Sequence, residues 1–387
     1  MSGERLNPRE LIARLVSFPT ISERSNLALI DWAEGYLSAH GARCRRTMNE
    51  EGTKANLFAT IGPEVAGGVV LSGHSDVVPV EGQSWSSDPF VVTERNGRLY
   101  GRGTADMKSF LAIAMALAPE FAARPLRRPI HIAMSYDEEI GCLGVASMIQ
   151  DIMANLPPPG LVIIGEPTSM RLVTGHKGVN LFRTRVIGRA AHSSQPHRGA
   201  GAILAAGRLI DYLWRLGEEQ RQQRDPRFEP PWTTVQVGLI EGGTAVNILP
   251  AECSFFWEYR NLPSQDSSAI RKLFEDYCER EVLPSLREFA PEARIETEAV
   301  ALVPPLAQEE NGAAEALVRR LTGANESAAV SFATEGGLFQ RAGLSTVVCG
   351  PGSIDQAHQP DEYIELEQIE ACIAFMRRLA DWACSGS

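Results

Sequence analysis

Four short apolar runs constrain this chain more than any other feature: Val69-Val70-Leu71-Ser72-Gly73, Ile130-His131-Ile132-Ala133-Met134-Ser135, Leu161-Val162-Ile163-Ile164-Gly165 and Ser345-Thr346-Val347-Val348-Cys349-Gly350. Their apolar, mostly β-branched character is that of strands buried on both faces. Helix-like segments alternate with them, which predicts an α/β fold: a mostly parallel sheet with helices on both faces. Ligands of such sheets sit outside the carboxyl ends of the strands. All four runs lead at that end into acids or histidines: His74-Ser75-Asp76, Asp137-Glu138-Glu139, Glu166-Pro167 and, a few residues past the last, His358.

The remaining segments fit around this frame. Apolar spacing over 8–40 predicts two amphipathic helices joined by a turn at 19–25, and 56–61 reads as a strand. The stretch Gly101-Arg102-Gly103-Thr104-Ala105-Asp106-Met107-Lys108-Ser109 leads into an apolar helical run reaching 118 and seats Asp106 at its start. A helix N-terminus suits a carboxylate, and the same position equally describes an ordinary helix cap. Between 177 and 303 the pattern changes to β-α-β-β-α-β: strands at 179–188, 233–239, 252–259 and 294–302, helices at 200–216 and 270–287. That order predicts an inserted ferredoxin-like α+β unit. The expected division is a catalytic domain over 1–177 and 304–387 and an inserted lid and dimerisation domain over 178–303.

Partners are narrowed by composition. No run approaches the roughly 18–20 apolar residues of a membrane span, and the N-terminal Met1-Ser2-Gly3-Glu4-Arg5 lacks a basic-then-apolar leader pattern, so a cytoplasmic protein is expected. Seven scattered cysteines without a Cys-x-x-Cys pair argue for reduced thiols rather than a disulfide framework. A net charge of −11 disfavours nucleic acid or an anionic membrane as partner.

The strand-end residues make chemical sense together. His74 and Asp76, two apart, share a side of an extended chain, so Asp76 can accept the second ring N–H of His74. Four carboxylates gathered in an apolar sheet repel one another unless divalent cations neutralise them. Two histidines and three carboxylates (His74, Asp106, Glu139, Glu166 and His358) suffice for two ions that share Asp106 and keep open positions for water. Nitrogen and oxygen donors without thiolate favour zinc, with manganese or cobalt as substitutes. Glu138, facing away from Glu139 on an extended backbone, is free to act as general base on water. Singly, His-x-Asp is also a structural pair, Asp-Glu-Glu a solvated turn and Glu-Pro a loop entry. Their coincidence at one sheet edge is what points to a metal centre.

Gly73-His74-Ser75-Asp76-Val77-Val78-Pro79, Gly101 to Lys108, Ser135-Tyr136-Asp137-Glu138-Glu139 and Gly165-Glu166-Pro167-Thr168 resemble the signatures of the acetylornithine deacetylase/succinyl-diaminopimelate desuccinylase family of dizinc hydrolases. The likeness runs from Phe18-Pro19-Thr20 to His358-Gln359-Pro360-Asp361-Glu362. Gly175-His176-Lys177-Gly178 and Thr334-Glu335-Gly336-Gly337-Leu338-Phe339 are similar to the branch acting on acetylornithine. The resemblance implies one ion held by His74, Asp106 and Glu166 and another by Asp106, Glu139 and His358, with Asp76 supporting His74 and Glu138 as base. It implies a homodimer through the inserted domain, with His192 reaching the partner's site to stabilise the oxyanion. Asn247 and Arg260 are expected on the substrate carboxylate, and Glu335 is the candidate for its cationic end. The implied reaction is hydrolysis of an N-acyl amino acid, N2-acetyl-L-ornithine to ornithine and acetate, in arginine biosynthesis. The alternatives are a desuccinylase, a dipeptidase, a broader N-acyl amino acid hydrolase, or a non-catalytic binding paralogue, against which the intact Glu138 speaks. Ser109 and Ala105 depart from the family's usual Gly and Cys without removing a ligand.

Overall fold

The computed structural model describes residues 4–385; Met1, Ser2 and Gly3, part of the stretch read above for a leader, lie outside the described residues. The chain forms two compact units, one holding residues through 175 with 308–328 and everything from 334 onward, the other holding 176–307 with 329–333.

The strands that matter here are, in chain order, Arg43–Met48 (β1), Ala55–Ile61 (β2), Val69–His74 (β3), Ile130–Ser135 (β4), Leu161–Pro167 (β5), Val173–His176 (β6), then Val179–Ile187 (β7), Thr234–Gly242 (β8), Glu252–Arg260 (β9) and Arg294–Val303 (β10), and finally Ala328–Val330 (β11) and Ser345–Gly350 (β12). An eight-stranded sheet runs in the order β1-β2-β4-β3-β5-β12-β6-β11. The four apolar runs are its four central strands, and they are parallel: β3 pairs with β4 and β5, and β12 with β5. β2 pairs antiparallel with β4, and β1 at the edge pairs antiparallel with β2. Every residue of β3, β4 and β5 is buried, which is why these runs carry no polar alternation. Each fully buried Val, Leu or Ile stabilises this layer by about 1.5–3 kcal/mol.

Helices Pro8–Val16 (α1), Leu27–Ala39 (α2), Lys108–Ala122 (α3) and Val145–Asn155 (α4) precede the second unit. α1 and α2 are the two predicted helices, and Leu11, Ile12, Leu15 and Val16 form the buried face of the first. Together with α3 they close one face of the sheet in a single apolar cluster with Val69 and Leu71, while α4 packs on the other face against β1 and β2. Two details differ from expectation. Arg43–Met48 is polar and was not expected as a strand; it is an edge strand, half exposed, where an apolar pattern is not required. The helix after Tyr100 begins only at Lys108, because 98–100 pairs with 93–95 and 363–365, leaving 101–107 as turn.

The second unit is an antiparallel sheet in the order β8-β9-β7-β10 with helices Ala202–Gln220 (α5), Ala269–Tyr277 (α6) and Leu283–Arg287 (α7) on one face. Period-two burial produces this: Phe182, Thr184 and Val186 of β7 and Cys253, Phe255, Trp257 and Tyr259 of β9 point inward, where the apolar ones meet Leu209, Leu213 and Phe274. The ferredoxin-like order is as expected. The helix expected over 270–287 is interrupted at 278–282 by a π-helical turn just ahead of Pro284, whose ring cannot donate a helical hydrogen bond.

Candidate metal centre and active site

The parallel strands deliver their terminal residues to one edge of the first unit. His74 ends β3 and Glu166 lies at the end of β5. Asp76 binds differently from expectation. His74 Nδ1 donates to the main-chain oxygen of Asp76 at 2.9 Å, whereas the carboxylate stands 3.6 Å away. That carboxylate instead accepts from Ser22 Oγ at 2.7 Å and from the N–H groups of Glu138 and Glu139 at 3.1 and 3.3 Å. Asp76 therefore ties the end of β3 to the segment after β4. That segment is a turn rather than the extended backbone expected: Asp137 has φ +53, and its carboxylate pairs with the buried Lys54.

Asp106 sits in the 101–107 turn. Gly103, at φ +87 with Val77 only 2.9 Å from where a Cβ would be, is required there. The two carboxylate oxygens of Asp106 face two different histidines: Oδ1 lies 3.1 Å from His74 Nε2 and Oδ2 lies 3.4 Å from His358 Nε2. Glu166 Oε1 stands 3.8 Å and Glu138 Oε2 4.0 Å from His74 Nε2, and Glu139 Oε2 is 2.9 Å from His358 Nε2. Donor atoms of His74, Asp106 and Glu139 lie within 4.8 Å of one another, as do those of His74, Glu138 and Glu166.

This cluster carries more negative charge than it can hold. Burial, with the charges of Glu139, Glu335 and Asp106, raises Glu138 well above the usual carboxylate range, and burial with the charge of Asp106 does the same to Glu166. Burial and the Asp106 charge push Glu139 up to about 7. Hydrogen bonds to Asp106 and Glu139 push His358 up to about 10. Burial opposes a charge on His74, but Asp106, Asp76, Glu138 and Glu166 outweigh it and hold the ring well above its ordinary value. Such a charge problem can be met by protons or by cations. Divalent cations meet it better, and the donor set fits them: imidazole and carboxylate, no thiolate, at separations near the roughly 3.3 Å that two ligands of a tetrahedral zinc keep. Cys142, which sequence reasoning passed over, places Sγ 3.3 Å from Glu138 Oε1, but burial holds its thiol well above its ordinary pKa, so it donates a hydrogen bond rather than a thiolate ligand.

The other expected residues are placed differently. His192, Asn247 and Arg260 belong to the second unit. His192 and Asn247 are neighbours there: residues 191–192 pair with 248–249, and Ser193 N–H donates to the Asn247 carbonyl at 3.0 Å. His192 is exposed, its Nδ1 held 2.8 Å from Ser194 Oγ. Arg260 pairs with Glu258 at 3.0 Å. Glu335 is in the first unit but only 1% exposed, its Oε2 accepting from Ser72 Oγ at 3.3 Å. Burial, above all, raises it to about 7. Its burial matches that of the expected ligands His74, Asp106 and Glu166, and it is a charged neighbour of His74.

Residues 70–382 match Peptidase family M20/M25/M40. The acetylornithine deacetylase of Myxococcus xanthus is 35% identical over 390 residues, covering 98% of both chains. That of Pasteurella multocida is 33% identical, over 97% of this chain and 98% of the relative. Among solved structures, an M20 family metallo-carboxypeptidase from Sulfolobus solfataricus superposes with a TM-score of 0.75 at 18% identity, covering 97% of this chain and 99% of that one. A dinuclear metal binding peptidase of the M20 family from Bacillus subtilis gives 0.63 at 15% identity, covering 96% and 97%.

Proposed function

The chain belongs to peptidase family M20/M25/M40, and from that premise we propose that it hydrolyses the amide of an N-acyl amino acid, N2-acetyl-L-ornithine first among them. It is a metal-dependent hydrolase acting on amides. The observation that carries the metal reading is the division of Asp106 between two histidines, one oxygen to His74 and one to His358. Zinc is the proposed metal, on a donor set that joins imidazole nitrogen to carboxylate oxygen, with cobalt or manganese as substitutes.

His74, Asp106 and Glu166 would hold one cation, and Asp106, Glu139 and His358 the other. When bound, the pair supplies Lewis acidity to the amide carbonyl and lowers the pKa of water to about 7. Glu138 takes a proton from the attacking water and passes it to the leaving amine. The Cys142 thiol donates to one of its oxygens, leaving the other toward the cluster for both transfers. His192 of the partner subunit is assigned to the developing oxyanion, in keeping with its exposure and with Nδ1 held by Ser194. Asn247 and Arg260 are assigned to the substrate carboxylate.

Turnover of acetylornithine, acetylmethionine, succinyl-diaminopimelate and a dipeptide by the zinc-loaded protein tests the substrate. Acetylornithine is expected to have the highest kcat/KM; a higher value for succinyl-diaminopimelate or the dipeptide would replace it, and no turnover of any would sink the enzymatic reading for this panel. Glu335 is assigned to the cationic end of the substrate, so on the same panel Glu335→Gln should raise the KM for acetylornithine relative to acetylmethionine. An unchanged ratio would remove Glu335 as that contact.

The homodimer is likewise proposed. It is supported by apolar side chains left uncovered on the second unit, Leu204 at 82% exposure and Trp214 at 64% on α5, and by β8, an edge strand with Leu239 and Ile240 half exposed. Leu204→Glu should shift sedimentation from dimer to monomer at micromolar concentration; an unchanged dimer places the interface elsewhere. The ornithine product makes arginine biosynthesis the proposed setting. All seven cysteines are unpaired and no described helix is long and apolar enough to cross a membrane, which supports a reducing, cytoplasmic location.

A further inference from the structure

The mechanism leaves unexplained how two ligands carried on loops, Asp106 and His358, are kept in place. His74 and Glu166 are fixed by the ladder between β3, β4 and β5, but Asp106 lies in the 101–107 turn, and His358 has φ +62 and a half-exposed side chain. One acid joins the two loops. Glu362, four residues after His358, has a fully buried carboxylate with four donors. Its Oε1 accepts the main-chain N–H of Ala105 at 2.8 Å and of Asp106 at 3.0 Å; its Oε2 accepts the N–H of Gly103 at 3.0 Å and Arg102 Nη1 at 2.7 Å. The N–H of Gly101 closes the same junction on the Glu362 carbonyl at 2.9 Å.

Arg102, 1% exposed, carries the link onward. Its Nη2 donates to Gln83 Oε1 at 2.5 Å, and Gln83 Nε2 donates at 2.9 Å to the main-chain oxygen of His358 itself. The guanidinium lies over the Trp85 ring at 5.0 Å, which fixes its plane. A buried ion pair is weak evidence for stability, since desolvation consumes most of its attraction. This one spends its hydrogen bonds on the backbone of the shared ligand and, through Gln83, on the backbone of a ligand to one cation only.

We propose that Glu362, with Arg102 and Gln83, is a positioning set that holds Asp106 and His358 at bridging distance and so governs occupancy of the cation site formed by Asp106, Glu139 and His358. The inference rests on the two-cation reading above. It makes the two sites unequal in their dependence on this set: the His74–Glu166 side is built on strand ends, the His358 side on loops pinned by Glu362. None of the three residues touches substrate or a cation, so the effect passes through ligand geometry alone.

Calorimetric titration of metal-free protein with zinc tests it, using Glu362→Gln and Gln83→Ala with folding checked by circular dichroism. Glu362→Gln keeps the shape but replaces an acceptor oxygen by an NH2 group facing N–H donors. Should it fail to fold, Gln83→Ala, which leaves the Glu362–Arg102 pair intact, still gives the reading. The weaker of two stepwise dissociation constants should rise about 10–100-fold, the range seen when outer partners of metal ligands are removed, with a smaller change in the tighter one. In the variants, kcat at limiting zinc should fall and excess zinc should restore it with KM unchanged. Equal weakening at both sites, or no weakening at either in a folded variant, would overturn the proposal. A wild-type chain that binds fewer than two zinc ions would overturn the two-cation reading beneath it, a result told apart by the wild-type titration alone.

Discussion

Asp106→Ala should cost the protein both metal ions and its amidase activity in one step. Each carboxylate oxygen of Asp106 faces a different histidine, so no single-site variant removes as many of the proposed coordination contacts. The expected loss in kcat/KM is at least about 10³-fold, about 4 kcal/mol of transition-state stabilisation. The competing account, that Asp106 simply caps α3, predicts something else: intact metal content and a stability loss of about 1 kcal/mol. The helix boundary argues against it, because α3 starts at Lys108, the cap position falls on Met107, and no side-chain cap hydrogen bond is made. Metal content by mass spectrometry beside a thermal melt of the metal-free protein distinguishes the two. The expected result is ions lost with the metal-free melting temperature kept.

Glu138→Gln should have the second largest effect and the opposite pattern in metal content. The amide keeps the side chain's size but cannot take a proton, so kcat should fall by about 10²–10⁴-fold, the usual worth of a general acid–base group. Zinc should stay bound at wild-type stoichiometry, because His74, Asp106, Glu139, Glu166 and His358 are untouched. The structure gives this test a sharper edge, since Glu138 Oε2 is only 4.0 Å from His74 Nε2 and falls within a possible ligand group with His74 and Glu166. Loss of one zinc ion on making Glu138→Gln would reassign Glu138 as a ligand and leave the reaction without a named base.

The strand-end logic was legible because it rests on two strong constraints. A parallel sheet buried on both faces writes itself as uninterrupted apolar runs, and its topology brings the same end of every run to one edge. Hence His74, Glu138, Glu139 and Glu166 could be grouped from sequence. Asp106 and His358 were harder, since they sit in loops whose path depends on contacts across about 250 residues, such as Glu362 with Asp106. Glu362 itself gave no signal: Asp361-Glu362 reads as a solvated turn until the buried N–H groups of 103–106 are seen converging on it. The role of Asp76 was misread in detail because sequence spacing places a side chain on a face without saying whether carbonyl or carboxylate makes the contact. Glu335 shows the reverse: an acid in a Gly-flanked turn reads as exposed, and packing against Ser72 of β3 buries it.

The central claim is amide hydrolysis that depends on two cations sharing Asp106. It is tested most directly by titrating metal-free protein with zinc while following acetylornithine hydrolysis. The account predicts no hydrolysis without metal and activity that rises to a plateau as two zinc ions bind per chain. Hydrolysis by the metal-free chain at the rate of the zinc-loaded one would contradict it.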